Sequence, residues 1–155
     1  MMAHGHTRPW VGFCVLPSTL LVCNGDGIYE RTVGEGLFTS VRLARGVLVG
    51  WMNGELVDRE MYDFRCSGGR GGYGILVRGG LVLDCYEEYL LGRCPMSYIN
   101  SARGAFLLRD DGTYRACRNN CEYVLHGYAV SVRTLCVVVA GSELLACYGT
   151  AFTEY

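Results

Sequence analysis

Turn signals interrupt this chain about every eight to twelve residues, and that spacing limits its fold more than any other feature. Asn24-Gly25-Asp26-Gly27, Gly34-Glu35-Gly36, Leu43-Ala44-Arg45-Gly46, Asn53-Gly54, Arg78-Gly79-Gly80 and Arg109-Asp110-Asp111-Gly112 are the clearest. The runs between them are too short for helices and rich in β-branched and aromatic residues, so they read as strands. Strands are expected over 10–22, broken at Pro17, and over 28–32, 37–41, 47–52, 73–77 and 81–85. A hairpin is expected from 106–108 and 113–116 across the Asp-Gly turn. Further strands are expected over 122–125 and 128–132 around His126-Gly127. The apolar run Leu135–Ala140 has the strongest strand character in the chain. Helical spacing appears only over 58–65, where Met61 and Phe64 are three apart, and briefly over 86–91. The 22 glycines against 3 prolines fit many turns and few helices. A mainly β fold follows. Nothing repeats, and no linker divides residues 10–155, which read as one domain after a flexible lead-in over 1–9.

Composition removes several functions. The net charge of −1 gives no overall field to attract nucleic acid. Arginine supplies all 14 basic charges, and lysine is absent. A biased coding composition explains this, as does a lysine-modifying enzyme that spares itself. No apolar run is long enough to cross a bilayer. Nine cysteines, an odd number without an export signal, point to reduced thiols in an intracellular protein. Their spacing lacks a Cys-x2-Cys pair, so no zinc site and no metal are expected. Gly68-Gly69-Arg70-Gly71-Gly72 lacks the Gly-Lys-Ser/Thr ending of a phosphate loop and is read as an ordinary loop.

Five pieces in order resemble the SET-domain family of protein-lysine methyltransferases. Gly34-Glu35-Gly36-Leu37-Phe38 resembles its Gly-x-Gly-Leu-Phe opening. Asn53-Gly54-Glu55-Leu56-Val57, where the next strand ends, is similar to its aromatic-x-Gly-Glu-x-Ile. Leu83-Asp84, Gly92 and Tyr98-Ile99-Asn100-Ser101 resemble Leu-Asp…Gly-Asn…Arg-Phe-Ile-Asn-His-Ser. Asn120-Cys121-Glu122-Tyr123 resembles Pro-Asn-Cys-x-Tyr. Gly141-Ser142-Glu143-Leu144 with Tyr148-Gly149 resembles Gly-Glu-Glu-Leu…Tyr-Gly. The match covers roughly 28–152, with an insertion at about 102–118. It implies several small curved sheets and a closing segment threaded into a pseudoknot, an exception to the rule against threaded chains.

The resemblance also implies S-adenosylmethionine as cofactor and a lysine side chain as methyl acceptor. By residue match, Tyr148 is the catalytic tyrosine and Tyr123 a second tyrosine of the lysine channel. The backbone at Gly34, Glu35 and Gly36 would wrap the cofactor, Asn100 would bind it through its amide and Ser101 through its backbone. Phe152 would pack on the adenine, or simply fill core. Tyr73, Met52 and Tyr98 fall at substrate-binding positions; for Tyr73 an ordinary strand tyrosine is an equal reading. Glu143 is read as a structural carboxylate. The implied substrate is a basic, histone-like tail, the implied location the nucleus of a eukaryote or of a virus's host. With no cysteine-rich flanks, the unit would complete its channel from its tail, its insertion or a second copy; a homodimer is the third of these routes. The family's histidine after Asn100 is Ser101 here, its arginine before Tyr98 is Ser97, and Met52 replaces a common aromatic. These departures motivate a rival reading: a degenerate SET-like module that binds a peptide or chromatin partner without catalysis.

Overall fold

The computed structural model describes residues 12–31, 34–70 and 72–148. The expected lead-in over 1–9 and Phe152 lie outside them. In chain order the strands and helices are β1 (Phe13–Pro17), β2 (Leu21–Cys23), β3 (Tyr29–Glu30), β4 (Glu35–Thr39), β5 (Leu48–Trp51), β6 (Glu55–Val57), α1 (Arg59–Arg65), β7 (Gly74–Leu76), β8 (Val82–Asp84), α2 (Tyr86–Leu90), β9 (Ala105–Leu108), β10 (Tyr114–Ala116), β11 (Cys121–His126) and β12 (Ala129–Thr134). They form four small antiparallel sheets, ordered β1-β4, β10-β9-β2-β3, β11-β12-β5 and β6-β8-β7. The fold is mainly β, as the turn spacing requires.

The elements meet on one central core that includes Leu37, Ile75, Cys94, Met96, Ile99, Val130, Val132 and Leu144. α1 is capped by Asp58, whose side chain accepts from the Met61 amide. Its buried Tyr62 packs with Val57 and Val82. Arg65 ties the helix to its sheet by a 2.9 Å ion pair with the buried Asp84. The 102–118 insertion forms the expected hairpin, with Tyr114 opposite Leu108 and Ala116 opposite Phe106. It extends the sheet begun by β2 and β3. All nine cysteines are free thiols.

Two sequence expectations are corrected. Leu135–Ala140 is not a strand; it makes one bridge, Val138 with Leu43. Opposite it, residues 44–46 are folded into a turn, with the Thr134 hydroxyl donating to Ala44 O and accepting from Val47 N. No ladder partner is left, and Val137 and Val139 face outward at 47% and 62% exposure. Second, Glu35 and Gly36 are not a turn. They open β4, paired with Pro17 and Leu16. The ladder from β1 satisfies the backbone that glycine would otherwise leave free to turn.

The closing segment sets the topology. The Gly141 and Thr39 amides donate to Thr39 O (2.7 Å) and Ser142 O (3.0 Å), and the Leu144 amide donates to Leu37 O (2.8 Å). The Ala146 amide donates to Asn100 O, while the Asn120 and Cys121 amides both donate to Leu145 O, each at 2.9 Å. Residues 143–146 are therefore flanked by β4 and by both ends of the insertion. This is the pseudoknot implied by the resemblance.

Candidate active site

The pseudoknot brings three distant stretches onto one cavity of about 280 Å³, lined by Gly34, Glu35, Gly72, Tyr73, Tyr89, Ser97, Tyr98, Asn100 and Tyr148. Six of the residues singled out from the sequence are among these. The parallel bridge of Asn100 with Leu145 holds two of the stretches in register, three residues short of Tyr148.

A polar brace joins the third. Asn100 Nδ2 donates to Glu35 O (3.0 Å) and Glu143 Oε1 (2.9 Å). Ser18 Oγ donates to the same carboxylate at 3.0 Å. Asn120 fastens the closing segment, its Nδ2 donating to Glu143 O (2.9 Å) and its Oδ1 accepting from Leu145 N (2.8 Å). Glu143 is thus a structural carboxylate. It also explains Gly36: a Cβ there would overlap the carboxylate, with Glu143 Cδ only 2.7 Å away and Asn100 Nδ2 at 3.2 Å. Gly36 sits behind the cavity wall, and glycine is needed to seat Glu143.

Tyr148 is half-buried, and its hydroxyl donates to Ile99 O at 2.8 Å. Burial, assisted by the Glu143 carboxylate, pushes its phenol up to about 12. It is protonated at neutral pH, so its oxygen offers a lone pair and no negative charge. The Tyr123 ring lies 6.4 Å from the Tyr148 ring, centroid to centroid. Burial also raises the phenols of Tyr123, Tyr73 and Tyr98. Tyr73 stacks on Tyr89 at 4.3 Å, and Tyr89 tilts against Tyr98 at 5.1 Å. Tyr86 meets the edge of Tyr73 at 5.7 Å and is itself covered by the Arg70 guanidinium at 5.0 Å. Arg70 also pairs with Glu87 at 3.0 Å. The result is a wall of tyrosine rings, a surface that attracts cations through ring faces.

The other sequence candidates lie elsewhere. Met52 is 7% exposed in the central core, its amide donating to Val130 O, and it does not line the cavity. Ser101 Oγ accepts from the Arg103 amide and closes a turn. Sequence reasoning missed Tyr89 and Ser97. The three-residue spacing of Tyr86 and Tyr89 on α2 was the available signal for the first. Ser97 Oγ is buried, lines the cavity and has no hydrogen-bond partner among the described residues.

No family model matches the chain, and no curated protein does. Solved structures do. A humanised mutant of Chaetomium thermophilum Polycomb Repressive Complex 2 bound to an inhibitor matches at TM-score 0.57 and 18% identity. A second inhibitor complex of that mutant matches at 0.58 and 19%. A ctPRC2 structure in an autoinhibited conformation bound to S-adenosylmethionine matches at 0.58 and 17%. Each match covers 90% of this chain but 16% of the other. At such identity the likeness speaks for the architecture alone: this chain has the SET-like fold, small sheets closed by a pseudoknot.

Proposed function

We propose that the chain is an S-adenosylmethionine-dependent protein-lysine methyltransferase acting on a basic, histone-like tail. The observation that carries this is the meeting of Tyr148, Asn100 and Gly34–Glu35 on one tyrosine-walled cavity. The residues suit the cofactor. A Cβ on Gly34 would meet nothing within 4 Å, so a ligand can approach that backbone closely. Ser97 Oγ is a buried hydrogen-bonding group still to be satisfied. Both Asn100 Nδ2 hydrogens are used within the protein. Asn100 would therefore act through Oδ1, an acceptor suited to a ligand ammonium.

When bound, S-adenosylmethionine supplies a methyl group on a positively charged sulfur. The chain's own part is to present a neutral amine in line with it. A lysine amine, pKa about 10.4 in water, loses its proton more readily in an apolar tyrosine channel beside a positive charge. The Tyr148 oxygen, its proton committed to Ile99 O, can accept a hydrogen bond from that amine and fix its direction. Tyr123 would form the channel's inner wall and Tyr98 the side facing the cofactor. β7 is an edge strand of its sheet, so the segment from Tyr73 can pair with an extended peptide. Ser101 is proposed to contribute backbone only, Met52 support behind the channel, and Phe152 an adenine contact. By analogy with the Polycomb structures, the substrate would be chromatin protein and the location nuclear. A second copy would complete the channel; a fully active monomer by light scattering would remove that part of the proposal.

The degenerate-module reading has one observation in its favour, the capture of Asn100 Nδ2 by the protein itself. Transfer of labelled methyl to a histone panel separates the two. The methyltransferase should label at least one histone, and Tyr148→Phe should lower the rate by about 100-fold or more while keeping cofactor binding by calorimetry. Absence of both transfer and cofactor binding would sink the proposal.

A further inference from the structure

The 102–118 insertion carries a feature that the proposed active site does not use. Arg109, Arg115 and Arg118, all exposed, line a single hollow of about 650 Å³ together with Ala116 and Cys117. The hairpin register explains the convergence. Arg115 stands opposite Leu107, and the Arg109 amide pairs with Thr113 O. Side chains alternate along a strand, so Arg109 and Arg115 share a face and are diagonal neighbours, about 7–8 Å apart at the backbone. Arg118 follows where the chain leaves the hairpin.

Like charges so placed repel one another. Among the described residues none of the three has a carboxylate partner, whereas Arg59, Arg65, Arg70, Arg93 and Arg133 all do. The nearby acids are engaged or turned to other groups. Asp111 holds Thr113 through its carboxylate, and Glu143, across the adjoining hollow, is held by Ser18 and Asn100. Asp110 sits in the hairpin turn, off this lining.

We propose that this hollow binds an anion carrying two or more adjacent phosphoryl groups. Guanidinium groups grip phosphate oxygens in pairs, and three of them around one concavity match several negative charges packed within a few ångströms. A carboxylate-rich peptide spreads its charges over separate side chains. A nucleic acid duplex needs a longer basic track than one hairpin, on a protein whose net charge is −1. The inference does not depend on the methyltransferase reading.

Calorimetric titration of the full chain with inorganic tripolyphosphate tests it. Saturation at one site is expected, weakening as salt is raised. Arg115→Gln/Arg118→Gln should bind at least about 10-fold more weakly with an unchanged melting temperature, since both side chains are exposed. ATP separates the sources: equal affinity means that only phosphates are read, tighter binding that a nucleotide is the ligand, and either supports the site. No saturation, an unaffected double variant, or tighter binding of polyglutamate or a single-stranded oligonucleotide would overturn it.

Discussion

At the residue scale, the site turns on which groups keep their protons. In the proposed reaction the Tyr148 phenol, raised to about 12, cannot be the base that frees a lysine amine. In the proposed reaction the productive form has a neutral amine, so kcat/KM should climb with pH as lysine deprotonates. Tyrosine ionisation would normally bring a falling limb near pH 10; here it should be absent below about pH 11. A falling limb at 10 in a steady-state profile would show Tyr148 to be less shielded than the structure has it. Gly36 makes a second prediction. Gly36→Ala sets a methyl against a carboxylate that Ser18 and Asn100 hold in place, and should cost about 1–3 kcal/mol. Chemical denaturation of Gly36→Ala, Glu143→Ala and the pair measures it. The pair should be less destabilised than the sum, because the clash exists only when both are present. The resemblance implied a glycine pair beside a cofactor; the sequence had no means of showing that the second glycine serves Glu143, a partner 107 residues away in the chain.

At the element scale, local signals read well and non-local ones poorly. The 109–112 turn, the helical spacing of 58–65 and the hairpin of the insertion are each written within a few residues, and each formed where expected. Leu135–Ala140 failed because a strand needs a partner, and Thr134 had already folded residues 44–46 away from it. The short β6 carries little local signal beyond the Asn53-Gly54 turn before it, because its three residues become a strand by pairing with β8. β7 makes the same point through packing. A Cβ on Gly74 would lie 2.5 Å from the hydroxyl of Tyr62, which is fully buried. Gly74→Ala must therefore push α1 off the β6-β8-β7 sheet or bend the edge strand. A loss of about 2–4 kcal/mol is expected in urea, and in the proposed reaction slower methyl transfer as well, since Tyr73 is the next residue. An alanine variant as stable as the parent would mean that Tyr62 is loosely packed. Asn120→Ala tests the closing segment: it strips partners from both Glu143 O and Leu145 N and should cost about 2–4 kcal/mol.

At the scale of the whole molecule, the resemblance placed distant pieces in one site, and the pseudoknot shows how they meet. What the sequence concealed was the collective state of the tyrosines. Tyr73, Tyr98, Tyr123 and Tyr148 come from four separate stretches, yet all have raised phenols, chiefly through burial. Each binds its proton more tightly folded than unfolded, where the pKa is about 10. Below pH 10 both states hold these protons and stability is indifferent to them. Above it the unfolded chain releases protons that the folded one retains, so the unfolded state binds fewer and stability falls as pH rises. For Tyr148 alone the loss between pH 10 and 12 is on the order of 2 kcal/mol, and the other three add to it in the same direction. Urea midpoints should thus be flat from pH 7 to 9.5 as far as tyrosine is concerned, then drop steeply. Tyr148→Phe should stay more stable than the parent at pH 11 relative to their difference at pH 8, because it removes one of the protons being lost. Absorbance at 295 nm should show tyrosines ionising together with unfolding. Full ionisation near pH 10 with the fold intact would mean that water reaches the cavity freely, and the tyrosine wall could then not depress the pKa of a lysine amine.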